Sequence, residues 1–257
     1  MRSVLVLLVV LSLWGCRSDE DETLGKLFFS RGVQGGMLLI SVDGSRAYRW
    51  NTARLDTRFS PGALFFMPAY LTALAEKAVP DAEHLESWDG TEHGLAEWNR
   101  DHSLDSAIRW SCDWFWLRMS NRVGEAAWAR KLRDFAYGDG KVGPGAFWNG
   151  GALTISAEEQ GRFLGALYRE ALPVRREFQQ HLKAALRLRE IPGGAIYGKT
   201  AWIPVAPTRH GWFAGFVESK ARGPWVFVLN LTIVKPFQSA FRQEIVYDAL
   251  RLKGILP

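Results

Sequence analysis

Short apolar runs near the amino end predict a β-hairpin at the start of the folded part of the chain. Residues 36–42 are mostly apolar and are typical of a strand, and a second short run follows at 47–51. Between them lies Asp43-Gly44, a dipeptide that favours a tight hairpin turn because its glycine tolerates positive φ. We therefore expect two adjacent antiparallel strands here.

The centre of the chain has mostly helical periodicity. Ser60 before Pro61 is a favourable helix start, since serine can cap the free backbone N–H groups and proline fits the first helical position. Ser156, with Glu159 three residues later, has the capping-box spacing of a second helix start. These signals predict a helical block over about residues 61–190.

Beyond that block the pattern is extended again. Apolar runs at 195–203, 212–219 and 225–232 predict three more strands, and the amphipathic stretch 237–252 predicts a final helix. Strands near both ends, with helices between them, predict a mixed α/β fold of the α+β type. Its central antiparallel sheet would be flanked by helices and would carry an inserted all-helical subdomain, within one domain over 24–257.

The first 23 residues indicate export. Residues 1–15 are interpreted as a signal peptide, because the apolar stretch within them is about half as long as a membrane-spanning helix requires. It ends in Leu-Trp-Gly-Cys at 13–16, which is similar to a bacterial lipobox and would make Cys16 the lipidated residue. Polar residues 16–23 would form a tether. We expect a membrane-anchored lipoprotein on the periplasmic or cell-surface side, with plain secretion or an uncleaved anchor as the alternatives.

Composition narrows the class of protein. The chain has 257 residues, 47% of them hydrophobic, which is enough for a sizeable core and excludes disorder, collagen and coiled coil. Lys+Arg 32 against Asp+Glu 27 give a net charge of +5, but basic residues never form a run longer than two. The charge therefore gives no reason to expect a nucleic-acid partner. With Cys16 processed, Cys112 would be alone and no disulfide could form.

Two motif spellings are rejected because their surroundings do not fit. Residues 193–200 spell a Walker A phosphate loop, but such a loop must open a helix, and Pro204 and Pro207 forbid one here. Residues 138–143 spell a dinucleotide fingerprint within a loop-like stretch. The five histidines lack metal-ligand spacing. We expect no nucleotide, no metal and no other cofactor.

A series of short motifs follows in one order from Gly32 to the carboxyl end. They are Gly32-Val-Gln-Gly, Arg58-Phe-Ser-Pro, Trp88-Asp-Gly, Trp98-Asn-Arg-Asp-His, Ser111-x-x-Trp-Phe, Tyr137-Gly-Asp, Phe147-Trp148, residues 153–160, Gly198-Lys-Thr, residues 211–218 and Arg242-Gln-Glu-Ile. In these motifs the chain resembles the class D β-lactamases, members of the penicillin-recognising serine acyl-transferase superfamily. The resemblance implies the fold of that family.

The nucleophile and the base of the family are both replaced in this chain. The family's chemistry requires Ser-x-x-Lys at the start of the active-site helix, where a carboxylated lysine takes the serine proton. The corresponding residues here are Ala63 and Phe66. No serine in the chain is followed by lysine three residues later. The resemblance therefore implies a protein that cannot form an acyl-enzyme at the usual position.

The resemblance gives roles to five further residues. Ser111 corresponds to the second-motif hydroxyl that would pass a proton to the leaving nitrogen, and Trp148 to the indole that donates a hydrogen bond to the carbamate. Lys199, Thr200 and Arg242 correspond to the groups that recognise the carboxylate of a β-lactam. Structural interpretations stay open: Ser111 bonded only by backbone, Lys199 facing solvent, and Arg242 as a surface charge on its helix.

Asp113 stands where the family has a valine beside the lysine. A carboxylate there would repel a carbamate, so Asp113 and Phe66 are mutually consistent. Phe66 would pack against Trp148 as a core residue, and Asp113 would turn to solvent or pair with a cation. Trp202, Trp212 and Trp225 are expected in the core.

Two functional hypotheses follow. The first is a catalytically inactive homologue that binds a β-lactam, the end of a peptidoglycan stem peptide or a cell-envelope protein. The second is an active β-lactamase or related serine hydrolase that uses a displaced nucleophile, Ser60 or Ser111. A structural or assembly role without a ligand is a third.

Overall fold

The computed structural model describes residues 20–204 and 209–257. In these ranges a six-stranded antiparallel sheet has the strand order β2-β1-β6-β5-β4-β3. The strands are β1 (Gly35–Ser41), β2 (Ala47–Trp50), β3 (Arg187–Ile191), β4 (Gly194–Ile203), β5 (His210–Ser219) and β6 (Gly223–Thr232). The predicted fold class is confirmed, because the first strand pairs with the last and closes the two ends of the chain into one sheet.

Helices cover both faces of this sheet. They are α1 (Glu22–Phe29), α2 (Thr52–Asp56), α3 (Phe66–Ala75), α4 (Leu104–Trp110), α5 (Asp113–Val123), α6 (Glu125–Asp134), α7 (Ala157–Tyr168), α8 (Arg176–Ala185) and α9 (Phe241–Leu252), with short 3-10 turns at Gly62–Phe65, Ala96–Trp98 and Pro236–Ser239. Leu38 and Leu39 on β1 contribute to different apolar cores, because successive strand residues point to opposite faces. One core includes α1 and α9, and the other includes the helical block.

The helical block ends earlier than predicted. The last helix, α8, stops at Ala185, and Arg187–Ile191 form the edge strand β3 instead of continuing the helix towards 190. The side chains of Arg187, Leu188, Arg189 and Glu190 are all exposed. This strand buries no apolar face, so its sequence carries no periodic signal, and only its backbone pairing with β4 makes it a strand.

The predicted tether is too long at its carboxyl end. The carboxylate of Glu20 accepts hydrogen bonds from the backbone N–H and the hydroxyl of Thr52, both at 2.7 Å. Asp21 caps α1 and forms an ion pair with Lys253. Residues 20–23 therefore belong to the folded body, because their acidic side chains satisfy backbone donors and a cation. The predicted signal peptide, most of the tether and Cys16 lie outside the described residues.

Two local predictions differ in outcome. The capping box of α7 is present, with Glu159 N donating to Ser156 Oγ at 3.2 Å and Ser156 N donating to Glu159 Oε2 at 2.9 Å. The final helix begins at Phe241 instead of 237, after a 3-10 turn. Among the described residues, no helix combines the length and hydrophobicity needed to cross a membrane.

Candidate functional site

A cavity of about 220 Å³ lies where the turn before α3, the junction of α4 and α5, and strand β4 meet. Its lining comprises Ala63, Trp98, Ser111, Asp113, Trp148, Asn149, Thr200, Ala201, Trp202 and Arg242. A larger cavity of about 450 Å³ between α7 and β1 includes none of the predicted site residues. The structure thus brings most of the sequence-predicted site together around the smaller cavity.

The turn that carries Ala63 is held close to β4. Gly62 has φ +53°, and a Cβ atom on it would lie 2.8 Å from Ile203 Cδ1. Glycine is therefore required for this approach. Ser60 joins the same turn to the loop at Trp148 and Gly150. Its Oγ donates to the Trp148 carbonyl at 2.6 Å and accepts from Gly150 N at 2.8 Å. The prediction that Ser60 caps the helix is wrong, because its hydroxyl serves this loop instead.

An aromatic cluster fills the space behind Ala63. The Phe66 ring is fully buried, stacks on Trp116 with centroids 4.9 Å apart, and lies edge-on to Trp148 at 6.1 Å. Phe65 stacks on Trp148 at 4.8 Å. The predicted contact between Phe66 and Trp148 is therefore present, although the closer partner is Trp116. Rings at these distances leave no polar chamber below position 63.

Ser111 and Lys199 are in direct contact across the cavity wall. Ser111 ends α4 in the left-handed conformation, with φ 53°, and its Oγ accepts a hydrogen bond from Lys199 Nζ. Lys199 is buried on β4. Its pKa is lowered to about 8, mainly by burial and also by the charge of Arg242, with Asp113 acting in the opposite direction. The interpretations that Ser111 is bonded only by backbone and that Lys199 faces solvent are therefore wrong, because the two side chains contact each other.

Cys112, next to Ser111, is not an activated nucleophile. Its thiol is free and buried, and burial raises its pKa to about 12. A thiol in that state is almost wholly protonated at neutral pH and is a poor nucleophile.

Arg242 supplies a second, partly buried cation at the cavity. Its side chain projects from α9 and donates to the Ala201 carbonyl and, at 2.7 Å, to the Ser239 carbonyl. Burial lowers its pKa to about 10. No carboxylate in the described part of the chain pairs with it or with Lys199. Lys199, Thr200 and Arg242 therefore form a cationic wall in which, within the described residues, neither cation forms an ion pair, which suits an anionic ligand.

Asp113 is the first residue of α5 and lines the cavity. Burial raises the pKa of its carboxyl, while the charges of Lys199 and His93 lower it. Within the described residues it has neither a hydrogen bond nor an ion pair. The expectation that Asp113 would turn to solvent or pair with a cation is wrong, since it faces the cavity unpaired.

Four residues of the lining, Trp98, Asn149, Ala201 and Trp202, were not predicted as site residues. Trp202 was expected in the core with Trp212 and Trp225, but 44% of it is exposed at the cavity mouth. The signal was available, because Ala201 and Ile203 are apolar neighbours on one strand and a period of two directs Trp202 to the other face. In residues 20–204 and 209–257, no group of three potential ligands could hold a metal ion.

Comparisons with known proteins agree with the fold. A family model described as the penicillin binding protein transpeptidase domain matches residues 31–251. The chain is 31% identical over 260 residues to β-lactamase OXA-2 of Salmonella typhimurium, covering 97% of this chain and 92% of that protein. It is 28% identical to the regulatory protein BlaR1 of Bacillus licheniformis, over 93% of this chain and 40% of that protein.

A solved structure gives the same result. The class D β-lactamase FUS-1 (OXA-85) from Fusobacterium nucleatum subsp. polymorphum superposes with a TM-score of 0.88 at 25% identity, covering 93% of this chain and 100% of that chain. At that coverage the superposition includes both the sheet and the helical block. The family predicted from the motifs is confirmed: the chain belongs to the penicillin-binding transpeptidase-domain family, with class D β-lactamases among its relatives.

Proposed function

We propose that this protein is a catalytically inactive member of its family that binds carboxylate-bearing ligands of the β-lactam or cell-wall peptide class without acylation. The observation that carries the proposal is the pair at positions 63 and 66. A methyl group lies at the cavity where the family places its nucleophile, and a fully buried ring replaces its base.

The chemistry of acyl transfer supports this reading of the pair. An acyl-enzyme needs a heteroatom to attack the carbonyl carbon and a base to take its proton. Ala63 has no heteroatom, and Phe66 accepts no proton. Stacking of Phe66 on Trp116 also occupies the volume that a carboxylated lysine would need. Ser60 does not replace the missing nucleophile, since its hydroxyl is committed to Trp148 and Gly150.

The binding half of the site supports a receptor function. Lys199, Thr200 and Arg242 line or adjoin the cavity without a carboxylate partner. The buried Lys199 and the partly buried Arg242 cost free energy of desolvation, and an anionic ligand would offset that cost. The relative named as a regulatory protein indicates that this fold also serves in proteins not named as β-lactamases. A stem-peptide end or a cell-envelope protein that presents a carboxylate fits the same wall.

One observation favours a second candidate, a serine hydrolase that uses Ser111. Lys199 Nζ touches Ser111 Oγ, and a lysine whose pKa is about 8 is partly neutral near pH 7. A neutral lysine can act as general base towards a serine, as in Ser-Lys hydrolases. In this alternative Ser111 Oγ would attack the carbonyl carbon of a β-lactam while Lys199 accepts its proton. The ring C–N bond would break, the nitrogen would take the proton from Lys199, and water would then hydrolyse the ester on Ser111.

Incubation of the purified protein with a fluorescent penicillin, followed by a denaturing gel and by calorimetry, separates the two candidates. We expect heat of binding without a labelled band, and nitrocefin turnover at background. A labelled band that S111A abolishes would establish the hydrolase instead. S120A, at another helical serine outside the cavity, is the matched control. Absence of both band and heat would contradict ligand binding altogether.

The proposal places the protein outside the cytoplasm, anchored through lipid on Cys16. The export pattern of residues 1–16 supports this placement. We expect the wild-type chain to partition into detergent and C16S to be released into the aqueous phase. Equal partitioning of the two proteins would contradict lipidation.

A further inference from the structure

The cavity has a negative side as well as a cationic wall. We propose that Asp113 binds the ammonium group of a small zwitterionic ligand while Lys199, Thr200 and Arg242 hold the carboxylate of the same molecule. This inference rests on the proposed ligand-binding function and specifies its ligand class. Asp113 would then be the residue that determines which carboxylate ligands are preferred.

The first argument is that the Asp113 carboxylate lacks a partner. It lines the cavity at the start of α5 and is only partly exposed. In the part of the chain that the structure describes, no hydrogen bond or ion pair reaches it. A partly buried carboxylate without a partner is costly, and the amino end of a helix offsets that cost only in part. A cation from outside the chain would satisfy it.

The second argument is that neither of the two neighbouring basic residues, Lys199 and His93, contacts the Asp113 carboxylate. Lys199 directs its Nζ to the Ser111 hydroxyl and forms no ion pair within 4 Å of Asp113. His93 packs edge-on against Trp98, with centroids 5.9 Å apart, and does not pair with Asp113 either. Both influence the carboxyl through space, and neither occupies its hydrogen-bonding positions.

The third argument is the shape of the space between the two charges. Asp113, Thr200 and Arg242 line one cavity of about 220 Å³, and Lys199 adjoins it through Ser111, so these groups suit a molecule whose ammonium and carboxylate are a few bonds apart. Trp98 and Trp202 also line this space. Indole faces attract an ammonium group as well as the apolar part of a ligand. A dipeptide with a free amino end fits this description, whereas the same dipeptide with an acylated amino end lacks the second charge.

The test compares D-alanyl-D-alanine with N-acetyl-D-alanyl-D-alanine on the full chain by calorimetry. We expect the free dipeptide to bind about tenfold more tightly, the order of one charge-assisted pair. D113N keeps the side-chain volume and should abolish that preference without weakening the acetylated form. E97Q removes an exposed carboxylate near Trp98 and should leave the preference intact.

The outcomes distinguish this inference from the proposed function. Equal affinity of the two dipeptides for the wild-type chain, or a preference that D113N retains, would overturn the role of Asp113 while leaving carboxylate binding established. Loss of the preference in E97Q as well would assign it to net charge and also overturn the role. If the wild-type chain bound neither dipeptide nor benzylpenicillin, the proposed function and this inference would fail together.

Discussion

The two sides of the cavity have opposite character. Behind Ala63 lies a packed block of aromatic rings around Phe66, whereas the wall formed by β4 and α9 retains the buried Lys199 and the partly buried Arg242. Burial of a phenylalanine stabilises a fold by roughly 1.5–3 kcal/mol, while burial of an unpaired cation destabilises it. The aromatic cluster therefore makes the fold more stable, whereas the cationic wall makes it less stable. If the site bound no ligand, replacing those cations by uncharged residues would make the fold more stable.

We expect the largest effect when the family's nucleophile and base are restored at positions 63 and 66. A63S/F66K/D113V would supply the nucleophile, the base and an apolar neighbour for a carboxylated lysine. We expect acylation by a fluorescent penicillin at least about 100-fold above the wild-type chain, measured in bicarbonate buffer. A63S and F66K alone should do little, because nucleophile and base act as a unit. A folded triple variant that stays unlabelled would show that the recognition wall no longer positions a β-lactam.

The stabilising role of the aromatic block gives the next largest effect. F66K places an amine among Trp116 and Trp148 and should lower the free energy of unfolding by about 3 kcal/mol. F66L keeps the position apolar and should cost clearly less. Urea unfolding followed by tryptophan fluorescence measures both. Equal stability of F66K and the wild-type chain would contradict a structural role for this ring.

A substitution in the cationic wall should have a smaller effect. R242A should weaken binding of benzylpenicillin by about tenfold, since it removes a charge-assisted hydrogen bond to the carboxylate. R251A removes an exposed arginine from the same helix and should leave the affinity unchanged. Calorimetry on the two variants decides between a specific contact and a general effect of positive charge.

The smallest effect concerns pH. With a pKa of about 8, Lys199 loses its proton as pH rises through 8, so affinity for a carboxylate should fall several-fold between pH 7 and 9. K199M should bind more weakly and without that dependence. The unfolded chain holds this proton more tightly, so the free energy of unfolding should rise with pH between about 8 and 10.5, as the buried Lys199 loses its charge. If the affinity of K199M fell between pH 7 and 9 by the same factor as that of the wild-type chain, Lys199 would not be the cause of the pH dependence.

The sequence predicted the parts of the fold that have a buried face. The hairpin at Asp43-Gly44 and the strands β4 to β6 follow a period of two or continuous apolar runs, which burial enforces. The strand β3 was missed because every signal that identifies a strand depends on an apolar face, and this edge strand has none. Glu20 was assigned to a tether because its partner, Thr52, is distant in sequence.

The candidate site was predictable where a motif identifies a residue and less so where tertiary packing decides its partner. The motif resemblance led to Ala63, Ser111, Thr200 and Arg242, which line one cavity. The contact between Lys199 and Ser111 depends on the left-handed end of α4, which no pattern indicates. The orientation of Asp113 depends on which neighbours already have partners. That information exists only in the assembled fold.

The attachment of the amino end to the body limits how far a lipid anchor could hold this protein from a bilayer. Glu20 is fixed to Thr52, and only four peptide steps separate it from Cys16. An extended chain spans at most about 3.5 Å per residue, so the maximum separation is about 14 Å. That is less than the radius of gyration expected for a body of this length, about 18 Å. The proposed lipidated form would therefore rest against the membrane surface.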